Sequence, residues 1–215
     1  KTGEQMAAKV INLQKLRLLG DLESHMVKLD REVRILSELQ HPRLVRLHFV
    51  HKTPNWLFLV MELVSGGELF DQIVQNRSLN EVEAKYIFRQ LLEGVGYMHS
   101  KHVIHRDLKP ENIMVQDASG PIEELQIKLI DFGLATLVRR AGGTPRKGAA
   151  LAGTFAYMAP EAREPETRSQ PRPPSDCWSS GMVLHALLLG GLPPEAVRCG
   201  SQTLDVGSPD YQGVS

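Results

Sequence analysis

The run His105-Arg106-Asp107-Leu108-Lys109-Pro110-Glu111-Asn112, followed nineteen residues after Asn112 by Asp131-Phe132-Gly133, decides how the rest of this 215-residue chain is read. From Asp107 to Asn112 it sets a carboxylate, a cation and an amide within six positions. The second run adds another carboxylate, and Gly133 leaves room to aim it. Oxygen donors beside a lysine, with no thiol among them, suit a hard cation and the phosphate it carries. Taken singly, a His, an Arg and an Asp in one loop do no more than cap turns and pair with one another. The weight therefore rests on several motifs in a fixed order.

Composition sets wider limits. Lys plus Arg and Asp plus Glu both number 25, so no charge excess points to nucleic acid or to a membrane surface as partner. Cys177 and Cys199 make neither a disulfide framework nor a metal-ligand spacing, and a reduced compartment, cytosol or nucleus, is the expectation. The longest apolar run, Gly181 to Leu192, contains His185 and falls well short of the ~20 residues a membrane span needs. It reads as a buried helix. No signal-peptide pattern opens the chain, which reads as starting inside a domain. At this length one functional unit is the default, with a single core or two small lobes sharing a cleft.

Met158-Ala159-Pro160-Glu161 follows the first two runs, and with all three in this order the chain resembles a eukaryotic-type serine/threonine protein kinase. The context Gly66-Gly67-Glu68-Leu69-Phe70-Asp71-Gln72-Ile73 is most similar to the calcium/calmodulin-dependent and calcium-dependent kinases, although no EF-hand loop is present from which calcium control could be read. The resemblance implies an α+β, bilobal protein-kinase-like fold. Its incomplete small β-rich N-lobe would occupy residues 1–61, its hinge 62–67 and its incomplete, mostly helical C-lobe 68–194. The likeness stops at Pro194. Residues 195–215, rich in Gly, Ser and Pro without an apolar period, are expected to form a largely disordered tail. No Gly-x-Gly-x-x-Gly loop precedes Lys9, so the expectation is a catalytic region lacking both ends.

In chain order, Lys1-Thr2-Gly3-Glu4 reads as a turn and Gln5 to Ile11 as a strand. Leu29, Val33 and Leu36, widened by Ile35 and Leu39, predict an amphipathic helix from about Leu22 to Leu39. His41-Pro42 breaks it, and Leu44 to Leu47 and Leu57 to Met61 read as strands. Glu68 to Val74 is a short helix. Asn80, with Glu83 three residues on, caps a longer one carrying Ala84, Ile87, Phe88, Leu91, Leu92, Val95 and Met98. Val103-Ile104 and Leu125 to Leu129 read as strands at the two ends of the catalytic loop, with Gln116 to Glu124 a polar surface excursion. Asp176-Cys177-Trp178-Ser179-Ser180-Gly181 opens a helix to about Leu189, ended by Gly190 and the prolines after it.

The resemblance also assigns roles. Ala7-Ala8-Lys9-Val10 is similar to the family's Val-Ala-Ile-Lys strand, whose lysine reaches the α- and β-phosphates of ATP, and Lys9 takes that place. Surface lysines on strands are common, so Lys9 counts only through its position relative to the other motifs. Glu32 is its expected partner, in preference to Glu23, Asp30 and Glu38. Asp107 would orient or accept the proton of the substrate hydroxyl, Lys109 would neutralise the moving phosphate, and Asn112 and Asp131 would hold Mg2+. Thr154 would bridge Asp107 and Lys109. Ala7, Met61 as gatekeeper, Glu62 and Val64 through their backbone, and Met114 are carried over as nucleotide-binding positions, and Glu68 is counted with them. Glu68 and Glu111 also resemble positions that receive substrate arginines. ATP and Mg2+ are the implied cofactors, and the implied partners are protein substrates presenting Ser or Thr near an arginine.

Gly133 to Glu161 would be the activation segment, with Arg106 the residue that pairs with a phosphate there in relatives regulated by loop phosphorylation. Ala149-Ala150-Leu151-Ala152 occupies the usual phospho-acceptor stretch, so activity without loop phosphorylation is expected. Thr144, among Arg139, Arg140, Arg146 and Lys147, is an off-register candidate. Asp176 would brace the backbone of the catalytic loop. The alternative reading is a non-catalytic kinase-like module that binds partners or substrates.

Overall fold

The computed structural model describes Gly3, residues 5–20, 22–137, 153–164 and 172–194, and Ala196. The opening turn at Lys1 to Glu4, Thr144 and its basic neighbours, Ala149 to Ala152 and the tail beyond Ala196 fall wholly or partly outside those residues.

Strand β1 (Met6–Asn12) runs directly into a short helix α1 (Leu13–Leu18), because the Asn12 side chain accepts from the Lys15 amide at 2.9 Å and caps it. Helix α2 (Leu22–Glu38) follows and buries Leu29, Glu32, Ile35 and Leu36. Strands β2 (Leu47–Lys52) and β3 (Trp56–Glu62) complete an antiparallel sheet of order β1-β3-β2, in which Ala7 stands opposite Met61 and Lys9 opposite Leu59.

One strand expected from the sequence starts later than its apolar run suggests. Of Leu44 to Leu47 only Leu47 lies in this sheet, as the first residue of β2. The Val45 amide instead donates to Leu129 O at 2.9 Å, and the Leu129 amide to Arg43 O at 2.8 Å. Leu44 and Leu129 form a single parallel bridge. Leu44 and Val45 are buried, and the Val45 amide finds its acceptor in the other lobe, not in the sheet.

The second lobe holds α3 (Leu69–Asn76), α4 (Glu81–Ser100), β4 (Val103–Ile104), β5 (Ile113–Val115), β6 (Ile127–Leu129), β7 (Thr136–Leu137), α5 (Pro160–Arg163) and α6 (Pro173–Leu189). β4 pairs with β7 and β5 with β6, both antiparallel, so the two expected strands hold the loop through partners of two or three residues each. Asn80 and Glu83 form the full capping box of α4, with Asn80 accepting at 2.9 and 3.0 Å and donating its amide to Glu83 at 2.8 Å. Within the polar excursion, Ile122–Glu124 forms one 3-10 turn.

Helix α6 starts three residues before Asp176, at Pro173, where a missing amide costs nothing. It buries Asp176, Ser179, Ser180, Met182, Val183, Ala186 and Leu187 and ends at Gly190, which has φ +74°. A Cβ there would lie 1.9 Å from Arg77 O, so only glycine lets the chain turn against the end of α3. Ala196 is buried and donates to Pro193 O at 3.0 Å, so packing runs past Pro194, where the tail was expected to begin. Among the described residues no helix is long and apolar enough to cross a membrane, and Cys177 is a free, exposed thiol.

Candidate active site

The catalytic loop leaves β4 with its backbone held from beneath. Asp176, fully buried at the start of α6, accepts from the His105 and Arg106 amides, each at 2.9 Å, and meets His99 Nε2 at 2.9 Å. Hydrogen bonds to both carboxylate oxygens compensate its removal from water. They also over-determine the loop, which lets Arg106 sit in the left-handed region at φ +73°. The expected brace is therefore present, and His99 joins it from α4. His99 carries no motif in the sequence; its role comes from α4 crossing α6.

Above that support Asp107 gathers the other polar groups. Its Oδ1 accepts from the Thr154 amide at 2.7 Å and from Thr154 Oγ1 at 2.9 Å, and its Oδ2 accepts from Asn112 Nδ2 at 3.0 Å. Lys109 Nζ donates to Thr154 Oγ1 at 2.9 Å and lies 3.8 Å from Asp107 Oδ2. Thr154 reaches this position because Gly153 takes φ +112°, where a Cβ would be 2.6 Å from Arg106 O. Gly153 is the residue whose importance the motif reading passed over, and its place beside Thr154 was the available signal.

A second group forms between the lobes. Lys9 Nζ donates to Glu32 Oε1 at 2.7 Å and stands 3.6 Å from Asp131 Oδ1. Asp131 has φ +56°, and its Oδ1 accepts from the Gly133 amide at 3.2 Å. A Cβ on Gly133 would come within 3.2 Å of that oxygen and 3.9 Å of Lys9 Nζ, so the glycine keeps this corner open. The two groups are tied together. His105 and Phe132 are buried with ring centroids 5.2 Å apart, and the Ile130 amide donates to Asn112 O at 3.0 Å.

The remaining carried-over positions lie along the hinge. Ala7 and Met61 are cross-strand neighbours, Val64 is buried, and Met114 forms a bridge with Glu68. Gly66 packs so closely on the β5 end that a Cβ would meet Val115 O at 2.6 Å. The Glu68 carboxyl is raised above the usual glutamate value by burial first, then by Asp71 and Glu111, with Lys109 opposing. Glu111 Oε2 is buried with no hydrogen-bond partner among the described residues. The Arg106 guanidinium is lowered from the ordinary arginine value by burial first and then by Arg31, while Asp176 opposes the shift. Residues 138–152 of the activation segment, which include the stretch where phosphorylated relatives carry that phosphate, lie outside the described residues.

Among the described residues no three His, Cys, Asp or Glu side chains converge as a self-sufficient metal cage. Magnesium on a nucleotide needs none, since phosphate and water oxygens fill most of its shell. The donors offered here are the Asp131 carboxylate and the oxygen of Asn112, whose nitrogen is committed to Asp107 O at 2.8 Å and Oδ2 at 3.0 Å.

Residues 1–204 match the protein kinase domain family. The chain belongs to that family. It is similar to the SNF1-related protein kinase catalytic subunit alpha KIN12 of Arabidopsis thaliana, with 39% identity over 198 residues, covering 89% of this chain and 35% of the relative. The calcium/calmodulin-dependent protein kinase type II of Caenorhabditis briggsae is 40% identical over 189 residues, covering 88% of this chain and 33% of the relative. That of Caenorhabditis elegans is 39% identical over 189 residues, covering 88% and 24%. This kinase domain thus spans at most 35% of the length of these relatives. The family match runs ten residues beyond Pro194.

Proposed function

We propose that this kinase domain transfers the γ-phosphate of ATP to serine or threonine hydroxyls of protein substrates that carry arginine near the acceptor. The observation that carries the reading is the joint presence of two assembled groups. Asp107, Lys109, Asn112 and Thr154 form one hydrogen-bonded set, while Lys9, paired with Glu32, stands 3.6 Å from Asp131.

Phosphoryl transfer asks a protein for positioning and charge stabilisation more than for covalent chemistry. Asp131 and Asn112 would hold magnesium, which would supply positive charge to offset that of the nucleotide's phosphates. Lys9, steadied by Glu32, places a cation on the phosphates. Asp107 orients the acceptor hydroxyl and takes up its proton, and Thr154 fixes the carboxylate in place. Lys109 offers its ammonium to the transferring group. Ala7, Met61, Val64 and Met114 supply apolar walls for the base. The Glu62 amide already donates to Arg46 O at 3.0 Å, so hydrogen bonding to the base falls to its carbonyl and to Val64. Glu68 and the Glu111 oxygen that has no partner among the described residues suit an arginine fork, which would satisfy both carboxylates.

The test is magnesium-dependent transfer from ATP to an arginine-containing serine peptide by the wild-type chain, Asp107→Asn and Asp131→Ala. We expect each variant to lose about 10²-fold or more, as removal of a positioned base or metal ligand does. A folded wild-type chain without transfer would instead favour the non-catalytic module. We also infer independence from loop phosphorylation, since Ala149 to Ala152 offers no hydroxyl. Complete loss of activity on phosphatase treatment would count against that.

A further inference from the structure

Lys128 is a lysine that no motif uses, on the strand that leads to Asp131, and it is only 8% exposed. Its ammonium donates to Pro42 O at 3.0 Å and pairs with Glu62 Oε1 at 2.9 Å. The same Glu62 oxygen accepts the Arg46 amide at 2.7 Å, and the Glu62 amide returns a bond to Arg46 O at 3.0 Å. On the backbone, Lys128 stands opposite Met114 in the β5–β6 pair. One cation thus joins three parts: the strand beneath the nucleotide cleft, the loop that follows α2, and the first residue of the hinge.

We propose that Lys128 and the side chain of Glu62 are positioning residues that fix the hinge for nucleotide binding, a reading that rests on the cleft being an ATP site. A buried ammonium needs its acceptors, because few others are within reach if they move away. Pro42 lies just past α2, which carries Glu32, so the hinge and α2 cannot shift independently while Lys128 holds both. The Arg43 and Val45 backbone bonds to Leu129 reinforce the same link. The direction of the effect follows from coexistence. Lys9 and Glu32 are in contact at 2.7 Å while the Lys128 contacts are closed, so the link accompanies the assembled site and does not oppose it. Loosening it weakens nucleotide binding.

The experiment compares the full chain with Lys128→Met, Glu62→Gln, the double variant and Lys128→Arg. Amide hydrogen exchange reads residues 43–46 and 62–66, and steady-state kinetics give KM for MgATP separately from kcat. Both single variants are expected to speed exchange in both segments about tenfold, the factor that 1.4 kcal/mol of coupling gives. The double variant should add little to either single one, as partners in one interaction do. Lys128→Met should raise KM for MgATP about tenfold with kcat within about twofold, and Lys128→Arg should restore most of the loss. Exchange in α6 serves as the control for folding. Glu62→Gln, close in size to the native residue, decides the matter if Lys128→Met does not fold. Unchanged hinge exchange, additive single effects, or a fall in kcat at constant KM would each overturn the proposal. A wild-type chain that binds no MgATP would sink the reading of the cleft, and the exchange data would still judge the link itself.

Discussion

Lys9 and Glu32 share one hydrogen bond but not one environment: the lysine side chain is 38% exposed and the glutamate side chain 5%. Lys9→Met therefore strands a buried carboxylate. The expected cost is about 2 kcal/mol, less than for a fully buried pair because water reaches the lysine side. Lys9→Met/Glu32→Gln should recover most of that stability in a denaturant titration without recovering transfer, since the phosphate contact proposed for Lys9 would stay lost. A double variant as unstable as the single one would show that the pair is not the cause. Glu68 gives a pH prediction. Its folded value is raised, chiefly by burial and then by Asp71 and Glu111, so the folded state holds its proton at pH values where the unfolded chain has released it. Between the unfolded value and the higher folded one, lowering the pH favours the folded state and at the same time discharges the group that would bind arginine. The ratio of kcat/KM for an arginine peptide over its alanine counterpart should therefore fall with acidity, beginning at higher pH than an ordinary glutamate would give. Glu68→Gln should flatten that dependence. At this scale the motif residues were legible because short spacings hold them together. Lys128 and Pro42, 86 residues apart, carried no such signal.

Glycines in and after one helix give opposite predictions. Gly190 has φ +74° and no room for a Cβ, so Gly190→Ala should cost more than about 1 kcal/mol and loosen the contact of α6 with the end of α3. Gly181 lies inside α6, and a methyl added there would meet nothing within 4 Å, so Gly181→Ala should gain about 0.5–1 kcal/mol. Thermal unfolding of the two variants checks both signs, and a stabilising Gly190→Ala would contradict the geometry. Long periodic elements such as α2, α4 and α6 were readable in the sequence because many positions repeat one requirement. The six-residue α1 and the two- and three-residue strands β7 and β5 were not, since too few positions exist to show a period. Leu44 to Leu47 looked like a strand because burial against β6 and burial within a sheet select the same apolar residues.

Across the whole molecule, Asp176 links α6, α4 and the catalytic loop through both of its oxygens. Asp176→Ala leaves the His105 and Arg106 amides without their acceptor. We expect a loss of about 3 kcal/mol, from about 1–3 kcal/mol for each abandoned buried donor. Transfer activity should fall even below the unfolding temperature, because Arg106 at φ +73° then lacks what holds it there. Asp176→Asn, which keeps one acceptor oxygen, should fall between wild type and Ala. Normal activity in a folded Asp176→Ala chain would show that the loop is held by other contacts, such as Asp107 with Thr154.

The sequence by itself determined the family, the lobe order and the chemical character of the site. Asp107, Asn112 and Asp131 sit in local motifs, and the long helices announce their own buried faces. Tertiary structure alone decided that Lys128 reaches Glu62, that His99 joins Asp176, and that the backbone at Arg43 and Val45 binds β6 before the chain joins the N-lobe sheet. Those contacts join residues far apart in the chain, and each involves a side chain or backbone group that many neighbours could equally have satisfied. Only the packing of the lobes selects the partner.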